Sequence, residues 1–98
     1  MAALLFEWDE EKERANRRKH RVSFEEARTA FLDENARLIA DPDYSDDEDR
    51  FILLGISRRS HLLVVCHCYR EADTIIRIIS ARKAEKDEEI QYVRRKCI

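Results

Sequence analysis

The run Arg77-Ile78-Ile79-Ser80-Ala81-Arg82-Lys83 is where residue type and spacing point most directly to chemistry. On an extended strand Arg77 and Ile79 face one way, and Ile76, Ile78 and Ser80 face the other. A guanidinium set among isoleucines is half-buried and needs an anion, either an acidic segment of the same chain or a ligand. Arg82 and Lys83 stand where the strand gives way to a helix, and the planar fork of Arg suits a phosphate there. Glu88 and Tyr92 are four apart on that following helix, hence neighbours on one face. A carboxylate, a phenol and several cations together can move protons and stabilise a pentavalent phosphorane without a metal.

Other constellations fall away. Cys66-His67-Cys68 puts two thiols on one face of a strand and the imidazole on the other. Without a second Cys/His pair at ligand spacing it builds no closed zinc site, and the cysteines read as small buried hydrophobes. The single glycine, Gly55, rules out a glycine-rich phosphate loop; within a strand it marks a bulge or close packing. No Ser-His-Asp pattern is visible. Three cysteines, one of them Cys97 near the terminus, give no disulfide framework. No secretory leader is expected, since acids follow the short apolar stretch at the N-terminus. No apolar run nears the roughly 20 residues that cross a bilayer. A reducing cytoplasm is the expected compartment, with no membrane association.

The elements that must position these residues follow from pattern. Leu4 to Trp8 reads as an edge strand. Asp9 is the N-cap of a helix to about His20, with Glu10 and Glu11 in the first turn where the helix dipole favours anions. That helix has one aliphatic residue, Ala15, and shows Lys12, Asn16, Lys19 and His20 at helical spacing. So polar a helix must be held by its neighbours. Ser23-Phe24-Glu25-Glu26 is a capping box, opening a helix to about Asp33 with Phe24, Ala27 and Phe31 as its apolar stripe. Strands follow at 36–40, 50–56, 61–69 and 74–80, and their short connections give an antiparallel meander. From Ala81 to about Arg95 the chain reads as helix, with Ile90, Val93 and Cys97 on one side. The order β-α-α-β-β-β-β-α is an α+β fold: a two-layer, single domain over residues 1–98, its helices packed on a four- to five-stranded antiparallel sheet.

Charged residues make up 41% of the chain, and the net charge of −2 conceals segregation. Residues 12–21 hold six Lys/Arg and one Glu, whereas 41–49 hold six Asp/Glu and no base. A near-neutral total therefore does not exclude a polyanion, because local field governs steering.

Phe6-Glu7-Trp8-Asp9, Lys12, Asn16, Lys19-His20, Val22-Ser23-Phe24-Glu25-Glu26-Ala27 and Phe31 together resemble the opening of the BrnT toxins. Asp49-Arg50-Phe51, Gly55, the run Arg77 to Ala84, Glu88 and Tyr92 resemble the rest of that pattern, over roughly 6–92. The resemblance implies a RelE-like fold and a ribonuclease toxin of a type II toxin–antitoxin pair. It implies cleavage without metal or other cofactor, by attack of the ribose 2′-OH on the adjacent phosphate. It also implies a BrnA-like ribbon-helix-helix antitoxin, in a 2:2 complex, through which alone operator DNA would be contacted. On this resemblance Arg77 and Arg82 clamp the scissile phosphate, and Glu88 or His20 is the general base. Histidine's ordinary titration near neutrality suits that task. Tyr92 positions or stacks on the substrate, and Lys12, Lys19, Arg50 and Lys83 bind RNA. One departure concerns Arg21, where members commonly carry the Gly that stops the first helix, so that helix end is expected to differ. The alternative is a binding module without catalysis, which keeps the basic face and the antitoxin contact.

Overall fold

The computed structural model describes residues 5–40 and 50–97; the acidic connection at 41–49 and its Asp41-Pro42 turn signal lie outside them. The elements are β1 (Leu5–Glu7), α1 (Glu10–His20), α2 (Phe24–Ala30), β2 (Arg37–Ala40), β3 (Phe51–Ile56), β4 (Leu62–Arg70), β5 (Ile75–Lys83) and α3 (Lys86–Cys97), the succession expected from pattern. The local signals act as anticipated. Asp9 Oδ1 accepts from the N–H groups of Glu11 and Lys12, at 2.9 and 3.1 Å. Ser23 Oγ accepts from Glu26 N–H at 3.0 Å. The second half of the capping box is not formed, because the Glu26 carboxylate turns inward to other partners.

The sheet has the order β1-β5-β4-β3-β2. The last four strands form the antiparallel meander, whereas β1 joins β5 in parallel, with Glu7 opposite Arg77. The sheet is thus mixed. No tight turn links β1 to β5, so no hairpin fixes their relative direction. β5 runs to Lys83, three residues beyond the expected end, because Leu63, Val64 and Val65 pair with Lys83, Arg82 and Ala81.

Alternation along β4 divides the core. Leu63 and Val65 pack with Val22, Phe24, Ala27 and Ala30 around α2, while Val64 packs with Leu54 and Tyr92 of α3. The helices therefore lie on both faces of the sheet. Each buried aliphatic or aromatic side chain contributes about 1.5–3 kcal/mol relative to exposure. α3 presents Tyr92 to the sheet, whereas the expected stripe residues Ile90 and Val93 are exposed. Polar contacts of Glu88 and Tyr92 select that face. Gly55 answers to close packing: a Cβ there would stand 2.8 Å from the Ala30 carbonyl oxygen and 3.2 Å from Ala36 Cβ. The bulge lies instead at Cys66/His67, which breaks strict alternation and buries His67 completely. Its ring is enclosed by Phe31, Phe51 and Tyr69. No helix among the described residues is long and apolar enough to cross a membrane.

Candidate active site

The site begins with an unfinished strand edge. β1 covers β5 only along Ile75–Arg77, so the backbone of β5 beyond that point lacks a strand partner on that side. Asn16 of α1 supplies one. Its Nδ2 donates to the carbonyls of Ala81 and Val22, at 2.8 and 3.0 Å, and its Oδ1 accepts from Ala81 N–H at 3.1 Å. A side-chain amide carries both a donor and an acceptor, so it can imitate a neighbouring peptide. This explains how a helix with almost no apolar face is held. Its buried residues are Glu13 and Asn16. Glu13 accepts from Phe24 N–H at 3.4 Å and ties α1 to the start of α2.

The helix end that departs from the family pattern stops by the same geometry. Arg21 adopts φ 61° and ψ 27°, and its N–H donates to Arg17 O. A non-glycine left-handed residue costs about 1 kcal/mol. The anchored neighbours Asn16 and Val22 hold it there.

The consequence is that the last turn of α1 faces the end of β5. Lys19, His20, Arg82, Lys83 and Glu85 line an open cleft of about 470 Å³. Lys19 and Lys83 are exposed and His20 half-buried. Neither lysine makes an ion pair among the described residues. Arg82 is engaged from behind: Nη1 and Nη2 donate to Glu88 Oε1 and Oε2 at 2.9 and 2.7 Å, a bidentate pair. Glu88 Oε1 also accepts from Glu85 N–H at 2.7 Å. The hydrogen bond from Arg82 outweighs burial and, with that of Glu85, holds the Glu88 carboxyl below the usual carboxylate range. The same bond raises Arg82 above its ordinary value, against the opposing effect of burial. Glu88 is thus a weak proton acceptor and a firm brace.

The other sequence candidates lie elsewhere. Arg77 Nη1 donates to Glu7 Oε2 at 2.8 Å, and Arg70 approaches the same oxygen at 3.5 Å. Five residues along the strand place Arg77 roughly 16 Å from Arg82. Its anion among the described residues is the facing strand's carboxylate. Tyr92 is buried, and its hydroxyl donates to Asp33 Oδ2 at 2.6 Å. Burial first, then this hydrogen bond and the Asp33 charge, push its phenol up to about 12. Lys12 is exposed near the start of α1, about 10 Å along the axis from Lys19. Arg50 precedes β3 at the end of the sheet opposite Lys83.

Pattern reading missed a second polar cluster. Ser57 Oγ donates to Glu26 Oε2 at 2.7 Å, and His61 Nδ1 lies 2.7 Å from the same oxygen. Burial opposes ionisation of Glu26, but the bonds from Ser57 and His61 prevail and keep its carboxyl below the ordinary value. Serine and histidine share one carboxylate oxygen here instead of bonding in series, so this is not a nucleophile–base–acid relay. The available signal was a serine and a histidine bracketing the turn after β3; the acid comes from another element, which spacing does not disclose. Among the described residues, no group of three or more His, Cys, Asp or Glu is placed to hold a metal ion.

The sequence profile described as "Ribonuclease toxin, BrnT, of type II toxin-antitoxin system" matches residues 8–88. The chain belongs to the BrnT family. Its fold is similar to the crystal structure of the Brucella abortus ribonuclease toxin BrnT, with a TM-score of 0.63 at 20% identity, over 86% of this chain and 100% of that one. No curated protein sequence matches the chain. Membership places it among ribonuclease toxins and brings with it an antitoxin as partner. The profile spans Lys19, His20, Arg82, Lys83 and Glu88, so the cleft lies wholly within the BrnT region.

Proposed function

We infer that this BrnT chain cuts RNA in the α1–β5 cleft, without a metal, by attack of a ribose 2′-oxygen on the adjacent phosphorus. The observation that carries this reading is the convergence of Lys19, His20, Arg82 and Lys83 on one open concavity. Four nitrogen-bearing side chains there match a phosphorane gaining negative charge on its equatorial oxygens. His20 in its neutral form takes the 2′-hydroxyl proton as the 2′-oxygen bonds to phosphorus. The bond from phosphorus to the 5′-oxygen then breaks, and that oxygen leaves with a proton supplied from a cleft ammonium group. The products are a 2′,3′-cyclic phosphate and a free 5′-hydroxyl. Arg82 contacts the phosphate. Glu88 is a positioning residue, since both its oxygens hold the Arg82 guanidinium. Tyr92 anchors α3, and so Glu88, through Asp33. Arg77 fastens β5 to β1, while Lys12 and Arg50 serve as outlying cations.

In this reading the protein acts in the cytoplasm and arrests growth by destroying RNA. Its partner is a BrnA-like ribbon-helix-helix antitoxin in a 2:2 assembly that alone touches operator DNA.

The test is incubation of the purified protein with RNA in EDTA, beside Arg82→Ala, His20→Asn and Glu88→Gln. Cleavage by the parent, ending in cyclic phosphate and lost in Arg82→Ala, supports the reading. Loss of the acidic limb of the pH–rate profile in His20→Asn assigns the base to histidine; its loss in Glu88→Gln instead assigns it to the carboxylate. A folded parent that binds but never cleaves RNA would make the chain a binding module.

A further inference from the structure

The turn between β3 and β4 stands at the same end of the sheet as the cleft. Ile56, the last residue of β3, pairs with Leu62, the first of β4, and Leu63 pairs with Lys83. Ala84 N–H donates to Leu62 O at 2.9 Å, closing that end. With strands about 4.8 Å apart and about 3.3 Å per residue, His61 lies roughly 8 Å from Lys83 along the backbone grid. The α1–α2 junction reaches the same place, since Asn16 ties Val22 to Ala81. Beyond that junction Ser23, Glu25, Glu26, Thr29, Arg58 and Arg59 line a second concavity of about 140 Å³. The two hollows therefore flank residues 19–23, with Lys19 and His20 on one side and Ser23 on the other.

The turn is unusually well fixed for a surface loop. Ser57 N–H donates to His61 O at 2.8 Å, and Ser60 N–H to Ser57 O at 2.9 Å. Arg58 N–H donates to Thr29 Oγ1 at 2.9 Å, and Arg59 N–H to Ser57 Oγ at 3.2 Å. Beneath it the Glu26 carboxylate holds Ser57 and His61. Ser60 takes a left-handed φ of 66°. All this order presents two exposed arginines, neither in an ion pair among the described residues. Of the acids lining that hollow, Glu25 is paired with Arg28, and the buried, ionised Glu26 is attracted to Arg59 as well as to His61. Two exposed guanidinium groups against that one carboxylate leave a net positive rim, which attracts a polyanion.

We propose that Arg58 and Arg59, held on the braced β3–β4 turn, form a second phosphate subsite for the RNA strand leaving the α1–β5 cleft. The subsite rests on the ribonuclease reading of the cleft and extends it. It reads backbone and not base, because guanidinium–phosphate contacts position a strand without distinguishing sequence. It gives a preference for chains long enough to span both hollows over minimal dinucleotides.

The experiment measures binding of a single-stranded oligonucleotide, with 2′-deoxyribose at the cleavage position, across a salt series, and cleavage of the all-ribose oligonucleotide and of a dinucleotide. Each phosphate that the protein no longer neutralises lowers the slope of log affinity on log salt by about 0.7 for single strands. Arg58→Ala with Arg59→Ala should flatten the slope by about 1.4 and slow cleavage of the long substrate, while the dinucleotide rate stays unchanged. Arg58→Ala alone, whose side chain takes no part in the Glu26 hydrogen bonds, should give half the slope change and covers the case in which the double variant misfolds. An unaltered slope, with Arg82→Ala still abolishing cleavage, overturns the subsite and leaves the nuclease reading standing. Equal losses on dinucleotide and long substrate also overturn it, by placing the turn in the chemical step. A parent that neither binds nor cuts overturns both.

Discussion

The cleft between α1 and β5 and the cluster beneath the β3–β4 turn lie at the same end of the sheet and share two residue types. Each has a histidine and a glutamate. In the cluster the carboxylate is buried and its donors, Ser57 and His61, come from the turn it supports. In the cleft the carboxylate of Glu88 sits behind Arg82, Lys19 and Lys83 are exposed, and His20 is half-buried. A buried charge is tolerable only with its partners complete, so the Glu26 carboxylate and its two donors are spent on each other, while Arg58 and Arg59 of the turn above stay exposed. Exposed cations without an ion pair among the described residues keep their field. Burial of the carboxylate, not residue identity, separates the closed cluster from the open cleft.

The largest expected effect is on activity. Arg82→Ala should lower the RNA cleavage rate by about 100-fold or more, as for loss of one preorganised donor to a transition-state anion. Its thermal midpoint should move little, because the pair with Glu88 is partly solvated. A large fall in midpoint would show that Arg82 belongs with the structural cluster. Glu26→Ala should behave oppositely. Leaving Ser57 and His61 without their acceptor costs about 3 kcal/mol by denaturant unfolding, while dinucleotide cleavage per folded molecule is retained.

Acid should next expose the buried groups, His67 in the core and Glu26 in the cluster. Burial holds His67 below its ordinary pKa of 6.5, so the unfolded chain takes up the proton first. Stability is then full above about pH 6.5 and is lost as pH falls through that value toward the lower folded one. Glu26 adds a second loss at lower pH, since its folded pKa lies below the ordinary 4.5 and its contribution disappears as pH falls through the folded value. The thermal midpoint should fall on acidification below pH 6.5, and His67→Phe should flatten the upper part of that fall. A parent midpoint that is flat from pH 7 to 5 would contradict the burial argument. The smallest effect belongs to Tyr92→Phe, which removes the donor to Asp33 and should cost about 1 kcal/mol, or about 5 °C in midpoint. Cleavage reduced far beyond that loss would give the phenol a role in the chemistry.

The element order was legible because its signals are local. Asp9 and Ser23 cap helices, and apolar runs broken by polar turns give strands. The end of β5 was not legible, since Ala81, Arg82 and Lys83 are kept extended by β4 on one side and Asn16 on the other. Nor was the outward direction of Ile90 and Val93, because the face of α3 is chosen by Glu88 meeting Arg82 and Tyr92 meeting Asp33. For the candidate site, residue types and spacing offered Arg77, Arg82, Lys83, Glu88 and Tyr92 on equal terms, and the resemblance added Lys19 and His20. Their spatial grouping was not legible, since Arg77 and Tyr92 meet Glu7 and Asp33, partners distant in the chain.

What the sequence determined by itself was the α+β succession, the caps and the resemblance that the profile match now establishes as BrnT membership. These depend on spacing along the chain, which the backbone periods of helix and strand convert directly into faces. Only the tertiary structure decided which cations make no ion pair among the described residues. A carboxylate neutralises whatever lies within a few ångströms, and that proximity is set by strand register and helix docking across tens of residues.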